Sequence, residues 1–560
     1  MMNNKRIFWL LSIFILGLSI AIFSISPSVQ ASPLSEEPTP VPEHSWMAEY
    51  NGSETCTTCH KFTGKEVAES VHYQLQGPAL TTEGLEDSLQ GMMNTTCELP
   101  ASNAAINWIG VLQPQDSSKP PVVAGCSQCH IGMGAKPNDV DQLTEADYNN
   151  IDCLICHGPN YSATTIETEE GFARVPAQGV DVLTSALNAQ LPTTEMCLSC
   201  HAKAGGGLNH KHGVVPTAES DVHIAAGLGC LDCHQSEDHK FAHSSDMKAT
   251  DPTREEAELP AVQCINCHSE SLHGNVVINQ HTEAIACQTC HIPMIARDES
   301  MPTVVYRDYS EAIYNETTGL YGPKNEMALN VLPVYHRWNG KITVPPGPAE
   351  SGTEGKIFPW KVTVVNLPVD SETQESIPIK KGIHYVTGDI EKAVTAGVEA
   401  YQAIEPAFAY SGSFEMAEET LKFSVNHQVA PSSEALTCSD CHSEDGRLDF
   451  ALLAYSEENA AGLTQFPPVF VREEVEVLEE NAEVEEVDVE EIEVSEEVIV
   501  SEEIIEEVIP LYEPPTINLV DEDKSLEIPS TLNFVPWIII TLVFVIVIFI
   551  LIKIGHRKAI

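Results

Sequence analysis

Cys126-Ser-Gln-Cys-His130-Ile-Gly-Met-Gly-Ala-Lys136, with Cys153-Leu-Ile-Cys-His157 soon after it, decides how this chain is read. Both copies are Cys-x-x-Cys-His, the attachment signal of a c-type haem. Two thiols about one helical turn apart add to the two vinyl groups of one porphyrin, and the adjacent histidine becomes the proximal ligand of its iron.

Working outward, the motif recurs eight times. The sets are Cys56/Cys59/His60, Cys126/Cys129/His130, Cys153/Cys156/His157, Cys197/Cys200/His201, Cys230/Cys233/His234, Cys264/Cys267/His268, Cys287/Cys290/His291 and Cys438/Cys441/His442. Zinc sites or disulfides would not place a histidine directly after every second cysteine. The expected cofactors are therefore eight covalent haems c. Of 17 cysteines one is left over, Cys97 in Asn94-Thr-Thr-Cys97. It reads as a buried inert thiol, a pocket residue able to meet sulfur or nitrogen oxyanions, or a disulfide between chains.

Of 21 histidines, eight are proximal ligands. His72, His212, His223, His239, His273, His281 and His427 are the candidates for the opposite axial positions. Gly205-Gly-Gly207 before His210-Lys-His212 lets the backbone approach a macrocycle closely. His243, His336 and His384 are spare, His44 lies in a linker, and His556 lies at the extreme C-terminus. Macrocycles that fill much of the interior replace apolar packing. The expected fold class is thus a multihaem cytochrome c, mainly α with long loops, little regular secondary structure and a small mixed insertion.

The formal charge of −53 excludes nucleic acid as a partner, since phosphate binding needs a basic face. Partners drawn in by charge would carry basic patches. The expected ones are a redox protein acting as electron donor or acceptor, or a quinol-linked membrane partner, together with a small inorganic anion as substrate.

Residues 1–31 read as an export signal, with Lys5 and Arg6 before an apolar run and Val29-Gln-Ala31 as a cleavage site, although the run is long enough for an uncleaved anchor. Residues 32–47 read as a linker and 48–465 as the haem domain. Within that domain, 293–437 carries no motif and mixes strand-like runs (341–344, 360–365) with a helix-like one (390–404). Composition then changes: 473–507 holds 18 acidic residues and no Lys or Arg, so 466–533 reads as a self-repelling stalk. The apolar run 534–552, followed by Lys553, Arg557 and Lys558 in the tail 553–560, reads as a single transmembrane helix with a cytoplasmic end. The expected location is outside the cytoplasm, tethered to the cytoplasmic membrane.

The order of the motifs, Gly205-Gly-Gly-Leu-Asn-His-Lys-His-Gly213, Asp221-Val-His223, Ala286-Cys-Gln-Thr-Cys-His-Ile-Pro293 and the isolated late motif resemble the octahaem tetrathionate reductase family over roughly residues 50–450. That resemblance implies reduction of tetrathionate, nitrite and hydroxylamine, with seven bis-histidine relay haems. It implies an active second haem with His130 below the iron, a lysine nitrogen as distal ligand and a cysteine near it. Lys136 and Cys97 are the matching positions. The stalk and C-terminal run have no counterpart in soluble members of that family. Two other functions stay open: an electron conduit with every haem bis-histidine ligated, and an octahaem enzyme that oxidises hydroxylamine.

Overall fold

The computed structural model describes residues 42–468, apart from 71, 74–82, 84–105, 108–109, 125–128, 134–141, 170, 203–214, 243–261, 270 and 344. These residues all fall in the first of two units into which the chain divides, Met1–Glu474 and Val475–Ile560.

Among the described residues the motifs fold as single helical turns. His60, His157, His234, His268 and His442 each donate their N–H to the carbonyl of the first cysteine of the same motif, at 2.8–3.1 Å. That i to i−4 bond puts both sulfurs and the imidazole on one face of one turn, the arrangement the attachment chemistry requires. Little helix continues beyond the motif: Leu154–His157, Cys230–Cys233 and Cys438–Cys441 are 4 residues each. Thr194–His201, at 8 residues, starts on a Thr193 hydroxyl that accepts the Met196 N–H.

A small hairpin, β1 (Ala163–Thr168) with β2 (Gly171–Pro176), follows the third motif. The expectation of a mainly α chain is then corrected by the segment between the seventh and eighth motifs. There a five-stranded sheet is built from β3 (Thr303–Asn315), β4 (Leu320–Ala328), β5 (Val334–Trp338), β6 (Lys356–Asp370) and β7 (Phe414–Ser424). Its order is β7-β6-β3-β4, with β5 also on β6. Strand β6 pairs antiparallel with β7 from Trp360↔Ser424 to Asp370↔Phe414, and parallel with β3 around Val365↔Arg307. The molecule is therefore of mixed helix and sheet, and its longest described elements include strands of 13 and 15 residues. Pairing in β3–β4 shifts register between Val304 and Tyr306 and again between Asp308 and Ala312. Each shift breaks the two-residue period by which a strand is read.

Tyr309, Val365, Leu367 and Leu421 of this sheet pack against Ile377, Ile379 and the helix Ile390–Gln402, which buries Val394, Val398 and Tyr401. Those positions recur at i, i+4 and i+7, one stripe of a helix.

The expected membrane-spanning helix is likewise corrected. Among the described residues no helix is long and apolar enough to cross a membrane. Residues 534–552, like 1–31 and 473–507, lie outside the described residues.

Candidate functional site: paired imidazoles and the second motif

Six motif histidines each face a second histidine at nearly one distance. Ring centroids are 6.1 Å apart for His72–His201, 6.3 Å for His157–His239, 6.1 Å for His223–His268, 6.1 Å for His234–His427, 6.2 Å for His273–His291 and 6.2 Å for His281–His442. The spacing has a simple meaning. A transition metal takes imidazole nitrogen at about 2 Å, and that nitrogen lies about 1 Å from the ring centroid, so two imidazoles across one metal stand about 6 Å apart. The residues present fit a haem iron between the rings.

The far nitrogens support the fit. His157 Nδ1 meets the Gln190 carbonyl at 2.8 Å, His234 that of Ala242 at 2.8 Å, His281 that of Val277 at 2.8 Å and His442 that of Leu463 at 2.9 Å. His239 Nδ1 meets Glu66 Oε2 and His273 Nδ1 meets Asn279 Oδ1, at 3.0 and 3.1 Å. An acceptor at Nδ1 fixes the tautomer, orients the ring and leaves Nε2 for a metal.

The sheet is part of this machinery. Strand β6 docks on the seventh motif, where Thr289 Oγ1 donates to the Ile357 carbonyl at 2.7 Å and Ile357 N–H donates to that of Ala284. The chain leaving β7 then runs beside 220–222. There Asp221 Oδ2 accepts the N–H groups of Gln428 and Val429 at 2.7 and 3.0 Å, and Val222 N–H donates to the Val429 carbonyl. This delivers His427 to His234. The same Asp221 accepts the His223 N–H through Oδ1 at 2.9 Å.

The motifs lie in single file. Cys56 stands beside Cys153, Cys197 beside Cys230, and Cys264 beside Cys287. Second cysteines make the alternate links: Cys156 adjoins Cys200, Cys233 adjoins Cys267, and Cys290 adjoins Cys441. The spatial order is first, third, fourth, fifth, sixth, seventh, eighth motif.

The second cysteines differ in exposure: Cys59, Cys233 and Cys267 are exposed, and Cys129, Cys156, Cys200, Cys290 and Cys441 are half-buried. Cys129 is only half-buried, although the neighbouring His130 is deeply enclosed. Successive side chains on one turn diverge by about 100°, so burial of the imidazole does not carry the thiol in with it. None of the described cysteines, Cys59 and Cys129 included, is in a disulfide, and their sulfurs stay open to thioether attachment.

The second motif joins at the third. Residues after His130 pair antiparallel with those before Cys153, through the bridge Gly132↔Ile151 and the Asp152 N–H donating to the Ile131 carbonyl at 2.7 Å. His130 is 2% exposed and packs on the Tyr73 ring at 5.0 Å, whose hydroxyl donates to Asp147 Oδ1 at 3.0 Å. A Cβ at Gly132 would stand 2.9 Å from Tyr73 Cε2 and run into the His130 ring, so only glycine fits there. Burial holds the His130 imidazole down at about 4, and the Arg174 guanidinium adds to this.

Lys136, Cys97, Cys126 and His212 lie outside the described residues. The spare His336 and His384 stand elsewhere: His384 is buried against Tyr309, its Nε2 3.2 Å from that residue's carbonyl oxygen. Sequence reasoning passed over Tyr73, Asp147, Asp152 and Arg174. The one available signal was a lone basic residue in apolar Gly171-Phe-Ala-Arg-Val-Pro176.

A family model described as bacterial cytochrome c matches residues 341–445. An uncharacterized protein of Archaeoglobus fulgidus is 33% identical over 237 residues, covering 36% of this chain and 79% of that relative. The crystal structure of octaheme cytochrome c from Shewanella oneidensis superposes with a TM-score of 0.52 at 24% identity, over 74% of this chain and 97% of that one. At that identity the likeness speaks for the fold alone.

Proposed function

We propose that this chain, whose fold is that of a multihaem cytochrome c, is an exported octahaem oxidoreductase that reduces a sulfur or nitrogen oxyanion at its second haem. Tetrathionate, nitrite and hydroxylamine are the substrates to offer. Haem c, when bound, supplies one-electron chemistry at iron. The rest falls to the chain.

In this reading the cysteine pairs anchor the porphyrins, and the six histidine pairs saturate relay irons. Haems held along this file would relay electrons towards the third motif, which adjoins the second. The observation that carries the reading is the pairing itself: it commits His72, His223, His239, His273, His281 and His427 to motifs other than the second. His212 is the proposed partner of His60. His130 would hold the second haem, and Lys136 would guard that site and yield it to an anion. Its ammonium offsets the field of a chain with formal charge −53 and can hand on a proton. Cys97 is proposed to line the same pocket.

The test is viologen-coupled turnover by the haem-loaded full chain, with each of the three compounds in turn. Fast oxidation by one of them, lost in Lys136→His with haem content unchanged, is the expected result. Turnover surviving in Lys136→His would sink the lysine assignment. No turnover with any of the three would favour the relay reading, which the single file of motifs also suits.

A further inference from the structure

His239 stands at the tip of a short hairpin. The chain leaving the fifth motif turns back on itself, pairing Ser236 with Phe241 and Glu237 with Lys240, and the two residues between are Asp238 and His239. Their φ angles are 49° and 61°. A two-residue turn of this kind favours glycine, asparagine or aspartate, because φ is positive at both positions. The residue after the hairpin supplies the Ala242 carbonyl that meets His234. The tip carries His239 to His157 of the third motif, 6.3 Å away between ring centroids.

One contact fixes the ring there. His239 Nδ1 donates to Glu66 Oε2 at 3.0 Å, and both side chains are half-buried. Glu66 comes from the helix Thr63–Ala68, soon after the first motif. Ala68 of that helix is fully buried with Ile131, Ile151 and Ile155, which lie in or beside the second and third motifs. A Cβ at Gly64 would stand 2.6 Å from the Tyr148 carbonyl oxygen. These contacts wedge the helix and fix where its carboxylate stands.

Five other acceptors at Nδ1 of the paired imidazoles are neutral: the backbone carbonyls of Gln190, Ala242, Val277 and Leu463 and the side-chain amide oxygen of Asn279. Asp221 Oδ1 lies 3.3 Å from His223 Nδ1, but it accepts the backbone N–H of His223 at 2.9 Å. Glu66 differs from the five in carrying a charge. A carboxylate draws the Nδ1 proton more strongly than a carbonyl does. The ring's Nε2 then becomes a stronger donor to a metal and favours the metal's more positive oxidation state.

We propose that Glu66 is a positioning residue for the third haem: it seats the His239 imidazole opposite His157 and lowers the reduction potential of the iron between them. An electron held on the third iron is thereby easier to pass on. Glu66 acts through His239 and not by ligation. The inference rests on the pairing of His157 with His239 and holds whether the second haem reduces an anion or only relays.

The test is a redox titration of the holoprotein with dithionite as reductant, followed by optical and EPR spectra. His239→Ala marks the third haem as the component that turns high-spin. Glu66→Gln keeps an oxygen acceptor for Nδ1 and removes only the charge. It should leave that haem low-spin and move its midpoint to higher potential. Glu69→Gln, which removes the partner of Lys65 at the end of the same helix, should move no midpoint. An unmoved or lowered midpoint of the marked component in Glu66→Gln overturns the proposal, since a merely structural Glu66 is replaced by the amide without effect on potential. Should Glu66→Gln fail to load its haems, Glu66→Ala decides alone: it removes charge and bond together, and an unchanged or lowered midpoint refutes the role. If His239→Ala turns no iron high-spin, the pairing itself is wrong and the proposal falls with it. Failure of the anion-reduction reading would show in turnover and leave these midpoints unmoved.

Discussion

His72 faces His201 with ring centroids 6.1 Å apart, although His72 follows the first motif and His201 ends the fourth. The same displacement holds throughout. His223 stands just before the fifth motif and meets the sixth; His239 stands just after the fifth and meets the third; His427 precedes the eighth and meets the fifth. The reason is steric. A Cys-x-x-Cys-His turn lies against one face of its macrocycle, and a few further residues leave the chain on that face. The ligand for the other face has to come from a separate segment.

His427 therefore gives a direct test. Its replacement by alanine should leave haem content unchanged and convert one low-spin iron, the fifth, to high spin in EPR and magnetic circular dichroism. An unaltered spectrum would remove His427 from the ligand set. The same replacement at His384, buried in the sheet's own core beside Tyr309, should leave every haem signal as it was.

Asp221 is expected to matter at two irons together. Its carboxylate accepts the His223 N–H with one oxygen and the N–H groups of Gln428 and Val429 with the other. His223 faces the sixth motif, and His427 adjoins Gln428 and faces the fifth. Hydrogen bonds to a charged group contribute about 1.5–3 kcal/mol each, and orphaned buried donors cost a similar amount. Asp221→Ala should thus lower unfolding free energy by about 3 kcal/mol or more and perturb the EPR signals of both haems. A change at only one of them would show that the shared carboxylate does not hold both segments.

The six histidines that face motif histidines stand among those the sequence singled out, because histidine close to a haem motif is chemically conspicuous. Their assignment was not legible, because it depends on which segments return to which face. The sheet was hidden differently. Strand β6 alternates well enough to be suspected, as at Trp360-Lys-Val-Thr-Val-Val365, but β3 holds Asp308, Ser310 and Glu311 across a register shift and reads as a loop. Asp152 and Arg174 were invisible because neither belongs to a motif. Only the fold shows that a hairpin brings Arg174 within 3.8 Å of Asp152.

Gly397 sets two effects against each other. It lies in the helix Ile390–Gln402, where alanine is favoured over glycine by about 1 kcal/mol. A Cβ there would stand 2.6 Å from Ile379 Cα and run into the Pro378 carbonyl, both of them backbone. Backbone cannot rotate away as a side chain can, and overpacking of this kind costs about 1–3 kcal/mol or more. The clash should win. Gly397→Ala is expected to lower the denaturant midpoint, with unchanged haem spectra because the helix carries no motif histidine and packs on the sheet. A stabilised variant would show that the close approach of this helix to the Pro378–Ile379 backbone is wrong.

Asp370 should govern how the sheet responds to acid. Its Oδ1 accepts the N–H groups of Glu372 and Thr373 at 2.9 and 3.1 Å, and its Oδ2 accepts that of Ser411 at 2.7 Å. These bonds, that from Ser411 foremost, need the ionised carboxylate and hold its pKa down to about 2, against about 3.9 in an unfolded chain. The sign follows from linkage. A depressed carboxylate stabilises the fold above its unfolded value, and that contribution disappears as pH falls from about 4 through about 2. Asp370→Asn, which cannot ionise, should be less stable than wild type at neutral pH. The gap should stay constant down to about pH 5, then narrow steadily in acid. Chemical denaturation at a series of pH values, followed by the fluorescence of the buried Trp360, measures it. A gap that does not change with pH would mean that the three N–H bonds are met as well by the amide, and that charge at Asp370 contributes nothing to holding the two loops together.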